Sequence, residues 1–178
     1  LYVAAKINDH TPLINDFDPR FEELICHRGD TVFFRFRSGE HHTNFFVYYW
    51  KQGQQPAVVL AGGRAWHKDK QFSDGLAAGC EAAFDKFADG KGYVVEMRIP
   101  WAVITGDKNR KPPQAGDQFP GSVGTYWNGQ LPRSIYEFNY FDLSDRDQSP
   151  PDTWWYPKVW GTVKLSRHGD LELPTPPW

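Results

Sequence analysis

The segment GYVVEMRIPW, residues 92–101, has the alternation of a β-strand that buries one of its faces. Its apolar residues Val95, Met97 and Ile99 fall on one side, and the charged residues between them fall on the other. Pro100 stops the strand, because proline lacks the N–H group that a sheet ladder requires. The pattern therefore predicts a half-buried strand that directs every second side chain into the core.

The sequence on either side of this strand extends the prediction. The tight-turn signature DGKG, residues 89–92, precedes it. Residues 76–87 favour a helix by intrinsic propensity, but the turn favours a strand in this stretch that pairs with residues 93–99. After the strand, residues 100–104 predict a short helical turn with proline at its first position.

Short segments rich in β-branched and aromatic residues predict the other strands. In residues 31–37, Val32, Phe34 and Phe36 alternate with two arginines, which predicts a half-buried strand with Arg35 on the solvent side. The predicted strands are residues 1–7, 31–37, 44–50, 57–60, 122–127, 134–140 and 161–165, and the predicted loops and irregular segments are residues 13–29, 61–75 and 105–120.

Aromatic residues are abundant, at 16% of the 178-residue chain, whereas methionine occurs once. The 14 prolines and 16 glycines leave little room for long helices. This composition is typical of an all-β protein, and about eight short strands predict an antiparallel two-sheet β-sandwich of immunoglobulin-like or jelly-roll-like type. The length predicts one domain over residues 1–166, followed by a Pro-rich tail or linker over residues 167–178.

The charge balance excludes two classes of partner. The chain has 20 lysine and arginine residues against 22 aspartate and glutamate residues, which gives a formal charge of -2. A general nucleic-acid or anionic-membrane binder needs a basic excess, so we expect neither partner. No apolar run approaches the roughly 20 residues of a membrane-spanning helix, so we expect no membrane span.

The sequence lacks the usual signatures of catalysis and of metal binding. No G-x-S-x-G nucleophile elbow occurs, and Glu96 and Glu137 lie on different predicted strands. We therefore expect a binding domain rather than an enzyme. His41 and His42 follow Glu40, but adjacent residues of a strand point to opposite sides, so surface solvation is the preferred interpretation of this cluster.

Two further features leave alternatives open. Cys26 and Cys80 can form a disulfide or remain two buried thiols, and neither belongs to a C-x-x-C pair. Asp142, Asp145 and Asp147 are spaced like calcium ligands in a loop, without the glycine and bidentate glutamate of an EF-hand. The alternatives for this segment are a structural calcium site and an Asp-rich turn.

Four segments, in their order along the chain, resemble the family 9 carbohydrate-binding modules and the wider DOMON-like group. They are LYVAAKINDHTP at residues 1–12, GDTV at residues 29–32, GYVVEMRIPW at residues 92–101 and WGTVKL at residues 160–165. The third segment is the most specific, and the resemblance extends over residues 1–166. It implies an antiparallel β-sandwich in an extracellular or periplasmic protein, where the domain is an accessory to a larger chain such as a secreted glycoside hydrolase.

The resemblance also implies two types of ligand. Family 9 modules bind sugars, often between aromatic side chains, whereas other DOMON-like domains bind haem b through a methionine paired with a histidine or a lysine. Met97 is the only methionine and lies in the most family-like strand, so it is the axial-ligand candidate if the chain binds haem. Its alternation with polar neighbours also fits an ordinary core residue.

A sugar ring requires an exposed aromatic plane with planar hydrogen-bonding groups beside it. The chain has 8 tryptophans, more than a two-layer core needs, so we expect some of them to face a ligand. Two patches meet the requirement, although both can instead plug the ends of the sandwich. The first patch is Trp127, Asn128, Gln130 and Arg133, and the second is Trp154, Trp155 and Tyr156.

The sequence therefore predicts a non-catalytic domain that binds carbohydrate without a cofactor. One alternative is a haem b electron-transfer domain. The other is a structural or protein-interaction sandwich with no small ligand.

Overall fold

The computed structural model describes residues 1–10, 13, 15–19, 29–39, 41–62, 72–127, 134–138 and 161–167. In these ranges the chain forms ten β-strands and one short helix, and the strands make two antiparallel sheets. The prediction of an all-β, two-sheet sandwich is confirmed. The elements are β1 (Tyr2–Asn8), β2 (Thr31–Ser38), β3 (His41–Trp50), β4 (Gln55–Gly62), β5 (Phe72–Asp74), β6 (Glu81–Lys86), β7 (Gly92–Arg98), α1 (Trp101–Thr105), β8 (Gln118–Trp127), β9 (Ser134–Phe138) and β10 (Gly161–Lys164).

The smaller sheet has the strand order β1-β7-β6. The family-like strand β7 is its central strand, and Val95 lies opposite Ala5 of β1 and Phe84 of β6. The strand over Glu81–Lys86 confirms that residues 76–87 contain a strand that pairs with β7 across the turn.

The turn between β6 and β7 explains why this segment is a strand rather than a helix. The carboxylate of Asp89 accepts a hydrogen bond from the backbone N–H of Lys91 at 2.9 Å. Gly92 has a φ of 150°, and a Cβ at this position would lie 2.2 Å from the carbonyl oxygen of Ile7. Only glycine allows this backbone approach, so the turn outweighs the helix propensity of the residues before it.

The larger sheet has the order β10-β8-β2-β3-β4-β5, and β9 also pairs with β8. β2 occupies one edge of β8, along Gly121–Tyr126. β10 and β9 share the opposite edge, where they pair with residues 118–121 and 123–127. Both run antiparallel to β8, so β9 and β10 follow one line along its edge, and residues 139–160 separate them in the sequence.

The main hydrophobic core lies between the two sheets. Val32, Phe34 and Phe36 reach it from β2, as their alternation predicts. From the other side Val95 is 0% exposed and Met97 is 2% exposed, which confirms the alternation predicted for β7. The other buried members of this cluster are Leu13, Phe45, Val47, Val58, Leu60, Cys80, Tyr93, Ile99 and Ile104.

The larger sheet is buried on its second face as well. Phe33 and Phe46 are both 0% exposed there, and they form a separate apolar cluster with Tyr48. Phe17, in the described segment 15–19, packs against this cluster with its ring centroid 6.3 Å from that of Tyr48. The larger sheet is thus an internal layer with an apolar cluster on each side.

Residues 31–37 form a strand, but the prediction that this strand is only half-buried, with Arg35 on the solvent side, was wrong. The side chain of Arg35 is 0% exposed, and its guanidinium carbon lies 4.4 Å from the centroid of the Phe33 ring. The positive charge of Arg35 therefore lies against the face of the Phe33 ring. Its neighbours across the sheet, Asn44 of β3 and Ser122 of β8, are buried polar residues. Alternation alone cannot distinguish a solvated polar face from a buried one.

Other elements also differ from the prediction, among them β3, which begins at His41, and β4, which extends over Gln55–Gly62. β5 lies within residues 61–75, which the sequence predicts as a loop. Pro100 has extended backbone angles, so the helix begins at Trp101 rather than at the proline. β8 begins at Gln118, inside the loop predicted over residues 105–120. In the described part of the chain, no helix has the length and apolar character needed to cross a membrane.

We expect the substitution Met97→Ala to lower the free energy of unfolding by about 2–5 kcal/mol, because it leaves a cavity between the sheets. Glu96→Ala is the matched control, since Glu96 is the exposed neighbour on the other face of β7, and it should change this free energy by less than about 0.5 kcal/mol. Urea unfolding followed by tryptophan fluorescence measures both variants. Equal losses would contradict the position of Met97 in the core.

Candidate functional site

The first predicted sugar-contact patch begins at the end of β8. Trp127 is the last residue of this strand, and its backbone lies opposite Ser134, the first residue of β9. Asn128, Gln130 and Arg133 lie between these two positions in the sequence, outside the described residues. The strand pairing therefore brings the two ends of this segment together.

The second patch and the calcium candidates stay predictions. All six residues fall in the segment 139–160, between β9 and β10, which lies outside the described residues. They are Trp154, Trp155 and Tyr156 of the patch, and Asp142, Asp145 and Asp147 of the candidate calcium site.

Met97 has the environment of a core residue. It lies in the cluster between the sheets, and its strand neighbours Val95 and Ile99 are buried on the same side. Apart from Met97 and Cys80, the buried members of this cluster are aliphatic and aromatic side chains. The position of Met97 supports the core interpretation rather than the axial-ligand interpretation.

Cys80 is a free thiol that is 3% exposed. Burial raises its pKa from 9.0 to about 11, although the nearby positive charge of Arg98 opposes the increase. A thiol that stays protonated at neutral pH is a weak nucleophile, so Cys80 acts as a core residue. Cys26, its potential disulfide partner, lies outside the described residues.

The charged side chains near β7 form a structural pair. Arg98 donates a hydrogen bond to Glu81, which lies directly opposite it on β6. This contact lowers the pKa of Glu81 and raises that of Arg98. Elsewhere, His41 Nε2 lies 3.0 Å from the hydroxyl of Thr43. Within the ranges that the structure describes, no three His, Cys, Asp or Glu side chains form a group that could hold a metal ion.

A surface cleft of about 550 Å³ lies where the chain passes from the smaller sheet to the larger one. Its apolar lining includes Trp101 and Ile104 of α1 and Phe119 of β8. Residues with hydrogen-bonding side chains surround this apolar part. They are Ser38, Thr105, Arg110, Lys111, Gln114, Asp117 and Gln118.

A series of aromatic contacts fixes the position of Trp101. Its indole meets the ring of Phe119 edge-on, with centroids 5.9 Å apart and an interplanar angle of 86°. Phe119 in turn meets Phe36 at 5.6 Å and 67°. Because Phe36 belongs to the main core, the half-buried indole is anchored to the interior of the sandwich.

Hydrogen bonds order the loop over residues 106–117, which forms one side of the cleft. The carboxylate of Asp117 accepts a hydrogen bond from the backbone N–H of Gln114 at 2.7 Å. The N–H of Gly116 donates to the carbonyl of Leu165 at 2.8 Å, and the N–H of Leu165 donates to the carbonyl of Asp117 at 2.9 Å. The loop is thus tied to the residue that follows β10, which reduces the ordering cost of binding a ligand.

The cleft combines a fixed aromatic wall with amide, hydroxyl and charged groups. An indole can pack against the apolar face of a ring, and the amide groups can hydrogen-bond hydroxyls at the rim of that ring. The other described indole, Trp50, is also half-buried but packs against the cluster on the far face of the larger sheet. Of the two, Trp101 is therefore the one placed to meet a ligand.

Sequence reasoning missed this cleft. It assigned Trp101 to a helical turn and residues 105–120 to a polar loop, and it did not join the two. The available signal was a tryptophan directly after a strand, followed by a long loop with several side chains that can hydrogen-bond. Only the fold reveals that Phe119 and Ser38 complete the same surface.

A comparison with solved structures shows a shared fold. The chain is similar to a putative carbohydrate-binding protein from Bacteroides uniformis ATCC 8492, with a TM-score of 0.54 and 11% sequence identity. The similarity covers 93% of this chain and 71% of that chain. No family model and no curated protein sequence matches the chain significantly.

We expect Cys80 to resist thiol reagents at neutral pH, because burial disfavours its thiolate. A Cys26→Ser chain isolates this thiol, and its reaction with dithiobis(nitrobenzoate) should be slow until denaturant unfolds the protein. The folded-state pKa lies above the unfolded one, so this thiol contributes stability that is complete below about pH 9 and is lost as the pH rises through about 11. Fast modification of the folded chain at neutral pH would contradict this assignment.

Proposed function

We propose that this chain is a non-catalytic domain that binds carbohydrate by stacking an aromatic side chain on a sugar ring. The observation that carries the proposal is the cleft beside Trp101, where an indole anchored to the core borders amide and charged side chains. A pyranose ring presents a C–H face and a rim of hydroxyls, which are the complements of those two surfaces.

The chemistry of such a site sets a modest affinity. Stacking of a ring on an aromatic side chain contributes about 1–3 kcal/mol, by analogy with nucleic-acid bases. One or two such contacts with a few hydrogen bonds correspond to dissociation constants in the micromolar to millimolar range. Gln114 and Gln118 are the amides of the cleft that can read hydroxyl positions.

Two further surfaces enter the proposal from the sequence. One is the segment that starts at Trp127, where an aromatic residue is followed by Asn128, Gln130 and Arg133. The other is the Trp154–Tyr156 patch. The pairing of Trp127 with Ser134 supports the first, because it holds the two ends of that segment at one place on the sheet edge.

The structural neighbour supports the same class of function. It is a putative carbohydrate-binding protein with the same fold. The resemblance to family 9 modules and DOMON-like domains adds a role as an accessory domain of a larger extracellular or periplasmic protein to this proposal. Haem binding is not favoured, because Met97 lies in the closed core between the sheets.

The proposal predicts that removing one indole weakens glycan binding while the domain stays folded. The variants are Trp101→Leu, Trp127→Ala and Trp155→Ala, and Trp178→Ala in the predicted tail is the control. A glycan array identifies a ligand of the unaltered chain, and isothermal titration calorimetry then measures each variant. We expect a loss of about five- to a hundredfold in affinity for the variant whose indole contacts the sugar.

Circular dichroism of each variant separates lost binding from lost folding. The variant that loses affinity identifies which of the three surfaces contacts the sugar. If the unaltered chain binds a glycan and none of the three substitutions weakens that binding, recognition by aromatic stacking at these surfaces is wrong. If the array shows no glycan bound, the proposed function itself fails.

A further inference from the structure

The cleft beside Trp101 contains two basic side chains, Arg110 and Lys111, and both are exposed to solvent. Within the described ranges, neither of them makes an ion pair, whereas Arg98 on the smaller sheet is paired with Glu81. The positive charge at the cleft is therefore available to a ligand.

The acidic residue of the cleft does not neutralise this charge by a direct contact. Asp117 turns a carboxylate oxygen towards the backbone N–H of Gln114, at 2.7 Å, and so closes the end of the loop. The lining of the cleft then has two positive side chains and one negative side chain, whereas the whole chain has a formal charge of -2. The cleft is therefore locally positive on a negatively charged chain, which favours an anionic ligand over a neutral one.

The type of anion follows from the groups beside the charges. An indole wall requires a ligand with a flat apolar face, which a free inorganic anion lacks. A guanidinium group offers parallel N–H donors that match the two oxygens of a carboxylate. A sugar ring that bears a carboxylate has both features.

We propose that this cleft binds a carboxylated sugar residue of the uronic-acid type. Trp101 packs against the ring, and Arg110 and Lys111 pair with its carboxylate. Gln114 and Gln118 hydrogen-bond its hydroxyls. This inference rests on the proposed function and narrows it, since it names the substrate class of the cleft rather than of the chain's other candidate surfaces.

Isothermal titration calorimetry with a short oligogalacturonate and with its fully methyl-esterified form tests the inference. The two probes share their rings and linkages and differ in the charge of the carboxyl group. We expect the free acid to bind about tenfold more tightly than the ester at low ionic strength. The difference should shrink as sodium chloride is added, because salt screens exposed charges.

Matched substitutions locate the effect. Arg110→Gln and Lys111→Gln should each weaken binding of the free acid by about three- to fivefold, and the double variant by about tenfold, with the ester unaffected. Lys91→Gln is the control, because it removes the same charge from the exposed turn between β6 and β7 of the smaller sheet. These loop substitutions leave the aromatic wall and the core intact.

Two results would overturn the inference. One is equal affinity for the free acid and its ester. The other is a loss for Lys91→Gln as large as that for Arg110→Gln. If one of these two results is obtained but the chain binds neutral glycans through one of its indoles, the proposed carbohydrate-binding function stands. In that case only the proposal of a uronic-acid ligand is wrong. If the chain binds neither these probes nor any glycan on the array, both proposals fall.

Discussion

Burial of both faces of the larger sheet is the constraint on which the rest of the structure depends. Strand β2 shows it most clearly, because Val32 and Phe34 pack towards the smaller sheet and Phe33 packs on the opposite side. The neighbouring strand must then accommodate the Phe33 ring on that opposite side. Gly124 of β8 does so, since a Cβ at that position would lie 2.1 Å from the Phe33 ring. The position of β8, and with it the edge that receives β9 and β10, follows from this close packing.

The same packing positions the cleft. The chain leaves the smaller sheet at the end of β7, forms α1 and enters the larger sheet at β8. Trp101 lies at the start of this connection and Phe119 lies near its end. Trp101 packs against Phe119, which in turn packs against the core residue Phe36. Thr43 of β3 adds a polar anchor, because its hydroxyl donates to the carbonyl of Val103 at 3.2 Å. The site is therefore a product of the connection between the layers and not of either sheet alone.

The sequence predicts best where one physical signal dominates. The alternation in β7 predicts the strand and its buried face, and Pro100 predicts an end close to the observed one at Arg98. The turn before β7 decides between helix and strand for residues 76–87. Prediction fails where the deciding contact is distant in sequence. Arg35 looks solvent-exposed until the second apolar cluster is known, and the cleft requires Ser38, Trp101 and Phe119 to meet. Short strands such as β5 owe their existence to a partner strand rather than to their own composition.

The shared edge of β8 has an evolutionary consequence. Phe138 ends β9 opposite Val123, and Gly161 begins β10 opposite Gly121, so the two residues that flank the segment 139–160 lie at adjoining positions along β8. A segment whose two ends are held this close can lengthen, shorten or change its side chains at small entropic cost to the scaffold. The Trp154–Tyr156 patch falls inside it. Related chains could thus vary this one segment, while the β-sandwich on either side of it stays the same.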